Sequence, residues 1–126
     1  MYGAAKGMKN FILIALGTGV GSGIVAGGEL IYGHDGMAGE LGHTIIIPDG
    51  RIHPGTGKKG SLESYASATG VATSAVEILN TTDRPSTLRN IPIDKIDSKA
   101  VFEAATAGDE VAKEVFVGNS WLPVIP

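Results

Sequence analysis

Three side chains and one turn in this sequence have the types and spacing to handle a small polar ligand. Glu40 and His43 stand in Gly39-Glu40-Leu41-Gly42-His43, where the glycines leave a carboxylate and an imidazole on a tight, open backbone. A carboxylate accepts hydrogen bonds and a neutral imidazole both donates and accepts, so together they suit adjacent hydroxyls such as those of a sugar. Taken alone, a Glu-x-x-His pair is more often a surface glutamate beside a core histidine bonded to a backbone carbonyl. Glu63, in Gly60-Ser61-Leu62-Glu63-Ser64-Tyr65, adds a second acid at the head of a predicted helix. The helix dipole and a capping geometry account for an acid there equally well. The turn is Gly17-Thr18-Gly19. Its backbone N–H groups and hydroxyl would face a phosphate as an anion-binding nest, or the turn would only join two strands.

The elements that must position these groups lie largely between Phe11 and His43. Ten of the chain's 19 glycines fall between Gly17 and Gly42, and glycine is costly to order unless positive φ or close approach requires it. Phe11–Leu16 is an apolar run of strand length, which predicts a strand buried on both faces. Gly17 to Gly23 reads as a turn or tight hairpin connection, and Ile24-Val25-Ala26 as a strand. Gly27-Gly28 signals a hairpin returning through Leu30-Ile31-Tyr32. Gly21-Ser22-Gly23-Ile24-Val25-Ala26 fits the dinucleotide pattern G-x-G-x-x-A, but that motif must open a helix, and the β-branched, glycine-broken residues after it do not. No window supplies a Walker-type phosphate loop.

Gly33 to Gly42 predicts an ordered loop, and Thr44–Ile47 a strand ended by Pro48-Asp49-Gly50. His53 to Gly60 is a loop whose Lys58 and Lys59 read as a solvated tip. Neither His34 nor His53 is assigned a role. Helices follow: a short one opened by Ser61, with Leu62, Tyr65 and Ala66 on one face, and one from about Thr69 to Leu79. After a polar loop over 80–96, Asp97 or Ser98 caps a helix with Val101, Phe102 and Ala105 inward. Gly108-Asp109 starts the last helix, with Val111, Val115 and Phe116 inward. Strands first and helices after give an α+β order, or one lobe of a larger α/β protein.

Composition narrows the classes. With 43 % apolar and 18 % charged residues the chain is ordinary globular material, and 126 residues make one domain or part of one. A net charge of −3 gives no reason to expect nucleic acid as a partner. Cys is absent, which removes disulfides and thiolate metal sites. No apolar run is long enough for a membrane helix, and Met1–Asn10 lacks the apolar core of a signal peptide, so a cytoplasmic location is expected.

The ordered set LGTGVGSGIVAGGELIYGHDGMAGELGH followed by GKKGSLESYAS resembles the ROK family of repressors, open reading frames and sugar kinases, over Tyr2 to about Phe116. The likeness is strongest to the family's bacterial glucokinases. It implies an actin-like, ribonuclease-H-like fold of two α/β lobes, of which residues 1–116 would form the first portion of the C-terminal lobe. It further implies an ATP-dependent hexose kinase, with Mg, acting on the 6-hydroxyl of a sugar such as glucose. Glu40, His43 and Glu63 would contact sugar hydroxyls, and Gly17, Thr18 and Gly19 the ATP phosphates. A sugar-sensing repressor is the alternative the family offers, and a homo-oligomer is expected.

Two departures qualify the resemblance. Family members often build a zinc site from the motif histidine and three cysteines in C-x-C-G-x-x-G-C-x-E. Here those cysteines align with Pro54, Thr56 and Ser61, leaving His43 alone, so no zinc is expected and Pro54 and Ser61 would hold the loop. The family's general-base aspartate has no counterpart here, so no catalytic residue is assigned and the chain alone is expected to be inactive. Tyr2–Gly7 reads as a helix exit, and 117–126 does not resemble the family, so we expect a shortened or frame-shifted piece of a longer protein.

Overall fold

The computed structural model describes residues 3–118. It opens on a three-stranded antiparallel sheet in the order β1 (Phe11–Leu16), β2 (Val20–Ala26), β3 (Glu29–Leu30). The register runs from Phe11 opposite Val25 to Leu16 opposite Val20, so the connecting turn is only Gly17-Thr18-Gly19. The predicted connection over Gly17–Gly23 is thus mostly strand: Gly21, Ser22 and Gly23 continue the ladder. Gly27 and Gly28 both take positive φ and turn the chain into β3, as their pairing predicts. That strand is two residues long and ends before Tyr32. The burial expected for β1 is not found: Ile12, Leu13, Ile14 and Leu16 are all more than half exposed. Their apolar run reflects a sheet that needs a covering layer, and none of the described elements packs over it.

Residues 31–62 are mainly irregular. A single 3₁₀ turn spans Leu41–His43. Instead of a strand over Thr44–Ile47 there is one bridge, Ile45 opposite Ser61, and a second joins Ile52 to Lys59. The ladder stops because the amides of Ile46 and Ile47 both bond the carbonyl of Gly60, at 2.8 and 3.2 Å. Gly60 is at φ +71°, and a Cβ there would lie 1.6 Å from the Ile47 oxygen, so no other residue fits.

The second half is helical: α1 (Glu63–Ala66), α2 (Ala68–Thr81), α3 (Ser98–Thr106) and α4 (Glu110–Gly118). Ser67 caps α2 by accepting from the Gly70 amide at 3.0 Å, and Asp97 caps α3 through Ala100 at 2.8 Å. The polar stretch between α2 and α3 holds two 3₁₀ turns, Thr87–Asn90 and Ile93–Lys95. A core forms from Ala75 and Leu79 of α2, Leu88 and Ile96 of the connecting stretch, Val101 and Ala104 of α3, and Val111, Ala112 and Val115 of α4. Phe102 and Phe116, expected inward, are exposed. Each sits one residue past a core valine, about 100° round the helix and outside its buried stripe. The helix runs on through Val117 and Gly118, so the change of character expected at 117 falls inside α4; residues 119–126 lie outside the described residues.

Candidate functional site

Glu63 is the hub. It opens α1, and its two carboxylate oxygens point back at the hairpin and at the 53–60 loop. Oε2 accepts the backbone N–H of Val20 at 2.7 Å, and Oε1 lies 2.6 Å from Nε2 of His53. The Val20 amide is the main cause holding the carboxyl below its usual range; partial burial opposes it, and His53 and His43 reinforce it. Gly19 is glycine for the same reason, since a Cβ there would come within 2.4 Å of Oε2.

The Glu40–His43 segment is docked on the same strand. Ser22 of β2 donates to the Gly39 carbonyl and accepts from the Leu41 amide at 2.9 Å. A Cβ on Gly42 would meet the Val20 carbonyl at 2.5 Å, so the turn lies directly on β2. His43 closes the 3₁₀ turn with its ring edge-on to His53, centroids 6.0 Å apart at 87°. Its Nδ1 is buried and, among the described residues, has no hydrogen-bond partner. Glu40 immediately precedes this turn and is exposed.

The hairpin turn abuts α2: the Gly17 carbonyl accepts the Ala68 amide at 2.8 Å, and Thr69 Oγ1 reaches the Thr18 carbonyl at 3.4 Å. A cavity of about 370 Å³ opens there, lined by Thr18, His53, Glu63, Ser67, Thr69 and Gly70 among others. Its wall places Thr18 beside Glu63, whereas Glu40 and His43 are not among its lining residues. A larger hollow of about 570 Å³ between Arg84 and Glu110 contains none of the predicted residues. Of its two acids, Asp109 is occupied by Ser86, Thr87 and the first amides of α4, and Glu110 is paired with Lys113.

Two contributors escaped sequence reasoning. His53 binds Glu63 directly, and Arg51 ties the loop to the helices through the Ser64 carbonyl, Ser74 Oγ at 3.0 Å and Glu77 at 2.7 Å, with its guanidinium 4.6 Å over the Tyr65 ring. The missed signal is the fold-back: once Ile45 pairs with Ser61, residues 51–53 must return alongside 59–63.

The residues do not fit a zinc ion. Pro54 has no donor, Thr56 Oγ1 is engaged with His53 Nδ1 at 3.2 Å, and Ser61 Oγ with Ser64 Oγ at 2.8 Å, leaving His43 Nδ1 as the one spare donor of that set.

Comparison with known proteins gives the family. The sequence profile of the ROK family matches residues 1–119. A glucokinase of Halalkalibacterium halodurans is 47 % identical over 116 residues, which is 90 % of this chain and 34 % of that protein. The crystal structure of a ROK family glucokinase from Streptomyces griseus in complex with glucose and AMPPNP superposes with a TM-score of 0.80 at 37 % identity, covering 94 % of this chain and 39 % of that one. A ROK family transcriptional regulator, homologue of the Escherichia coli MLC protein, gives 0.77 at 30 % identity over 94 % of this chain and 29 % of that one. The chain spans about a third of the length of the curated relatives it matches.

Proposed function

Because the chain belongs to the ROK family, we propose that it supplies the sugar-recognition and phosphate-facing portion of an ATP-dependent hexose kinase, acting on glucose at the 6-hydroxyl. Residues 1–116 are then the first portion of the C-terminal lobe. The observation that carries this reading is Glu63: an anionic carboxylate fixed at both oxygens by Val20 and His53, with His43 beside it and Thr18 on the same cavity wall. Each oxygen keeps a free lone-pair site, so the group accepts from two neighbouring hydroxyls without reorganising. A carboxyl held below its usual range is a weak base, which makes Glu63 a binder and leaves proton removal from the sugar to another group. Glu40 and His43 complete the hydroxyl contacts from the turn that Ser22 pins to β2. Gly17, Thr18 and Gly19 face the ATP phosphates, with Mg as counter-ion.

The test is glucose- and ATP-dependent formation of hexose 6-phosphate by a protein carrying this segment at the length of its relatives. Glu63→Gln and Glu40→Gln are each expected to raise the KM for glucose, Glu63→Gln by about a hundredfold, since a charged acceptor is lost. An unchanged KM in both variants refutes the site. The second reading, a sugar-sensing repressor, rests on the likeness to the transcriptional regulator. Sugar-dependent DNA binding without phosphorylation would select it.

A further inference from the structure

His53 has both ring nitrogens committed. The Thr56 amide donates to Nδ1 at 3.1 Å, with Thr56 Oγ1 at 3.2 Å, and Nε2 faces Glu63 Oε1 at 2.6 Å. A backbone N–H can only donate, so Nδ1 must present its lone pair and the ring proton of the neutral imidazole must sit on Nε2. That proton points at the carboxylate. The side chain is largely enclosed, 17 % exposed, as is that of Glu63 at 18 %. The same residue closes the loop through its main chain: its amide bonds the Lys58 carbonyl and its carbonyl the Gly57 amide, both at 2.8 Å. One histidine therefore joins the whole 53–60 loop to one acid.

We propose that His53 is the positioning residue for sugar recognition in this chain, its Thr56-locked imidazole aiming the Glu63 carboxylate. A hydrogen-bonded pair thereby does what the residues at Pro54, Thr56 and Ser61 cannot do through a metal. The inference rests on the kinase reading for its sugar, but its geometry stands independently. Without His53, Glu63 keeps the Val20 amide on Oε2 and loses the restraint on Oε1, so the carboxylate is free to rotate away from a two-hydroxyl contact. The loop loses its inward anchor at the same time, while Arg51 still holds its base.

Two measurements test this. Imidazole ¹⁵N spectra of the full chain are expected to show His53 protonated at Nε2 with Nδ1 bare; an Nδ1–H tautomer overturns the proposal. In a protein carrying this segment at the length of its relatives, His53→Ala is expected to raise the KM for glucose about tenfold, more than it lowers kcat. His53→Gln, whose amide retains a donor toward Oε1, is expected to recover part of the loss. It also carries the test if the alanine variant unfolds. A glucose KM unchanged in both variants overturns the proposal. So does one equivalent of added Zn²⁺ that shifts the His43 and His53 signals together, since a metal would then stand in place of the hydrogen bond. If the unsubstituted protein neither binds nor phosphorylates glucose, the kinase reading fails, and the tautomer spectrum still judges the Glu63–His53 lock.

Discussion

Between α2 and α4 the chain closes a core around Leu88, Val101, Val111 and Val115, each 1 % exposed or less, whereas the hairpin of β1 and β2 leaves Ile12, Leu13, Ile14 and Leu16 between 52 and 66 % exposed. The two halves have similar apolar content but different neighbours. The short link over 107–109 folds α4 back on α3, and the longer stretch over 82–97 buries Leu88 and Ile96 as it returns the chain to α2, so the three helices find their partners close by in sequence. A sheet must be covered by another layer, and in this chain the helices are occupied with each other. Among the described strand residues Val20 alone is buried, and it lies where Gly42, Gly19 and Glu63 converge. The candidate site is thus a seam. Its acid comes from α1, packed at the head of α2, and the amide that fixes it from the hairpin, so the stability of each half should be separately measurable.

The sharpest way to break that contrast is to empty the closed half. Leu88 is 1 % exposed and sits amid the three long helices. Leu88→Ala is expected to cost about 3 kcal/mol, from lost burial and a cavity that the helices cannot collapse around. The measurement is the urea midpoint followed by circular dichroism. A cost below about 1 kcal/mol would mean that the helical half is no better packed than the sheet.

Acid attacks the same half by a different route. Burial works to raise the pKa of Asp109, but the Ala112 amide, Ser86 and Thr87 outweigh it and bring the pKa to about 2 from 3.8. The folded value lies below the unfolded one, so the stabilisation is present above pH 4 and is lost as pH falls towards 2. Its size is no more than about 2 kcal/mol, because Asp109 is partly open to solvent. Asp109→Asn is expected to flatten the fall in unfolding midpoint between pH 4 and pH 2. An equally steep fall in the variant would assign that acid sensitivity to other carboxylates.

The two halves also differed in how far their sequence could be read. Helix starts were legible because caps are local: Asp97 and Asp109 announce α3 and α4 from side chains that bond amides two or three residues on. The hairpin turn at Gly27-Gly28 was legible for the same reason. The extent of β2 was not, because Gly21 and Gly23 look like turn residues until the Glu40–His43 segment has to dock against the strand beside them. Phe102 and Phe116 were misplaced since a stripe read from apolar identity alone cannot say where the partner helix ends. At the candidate site, the nearness of Glu63 and His43 follows from their two motifs. His53 was not legible, because its role depends on Ile45 meeting Ser61, a pairing sixteen residues apart that neither segment's pattern encodes.

The smallest effect is expected on the open half, and it tests the contrast most directly. Leu13 is 62 % exposed in mid-strand, opposite Gly23. Leu13→Thr puts a β-branched residue in the ladder and removes apolar surface that nothing in the described chain covers, so unfolding should shift by less than about 0.5 kcal/mol. A loss above 1 kcal/mol would show that the face is covered in solution. Because the urea midpoint of an associating protein depends on concentration, repeating the measurement at tenfold dilution separates the two ways this could arise. A midpoint that falls on dilution assigns the cover to a second copy of the chain, consistent with the homo-oligomer expected from the sequence. One that does not move places the cover within the same molecule. In either case the seam at Val20 would be reached from a covered sheet, and the Val20–Glu63 hydrogen bond would be as well supported on its strand side as on its helix side.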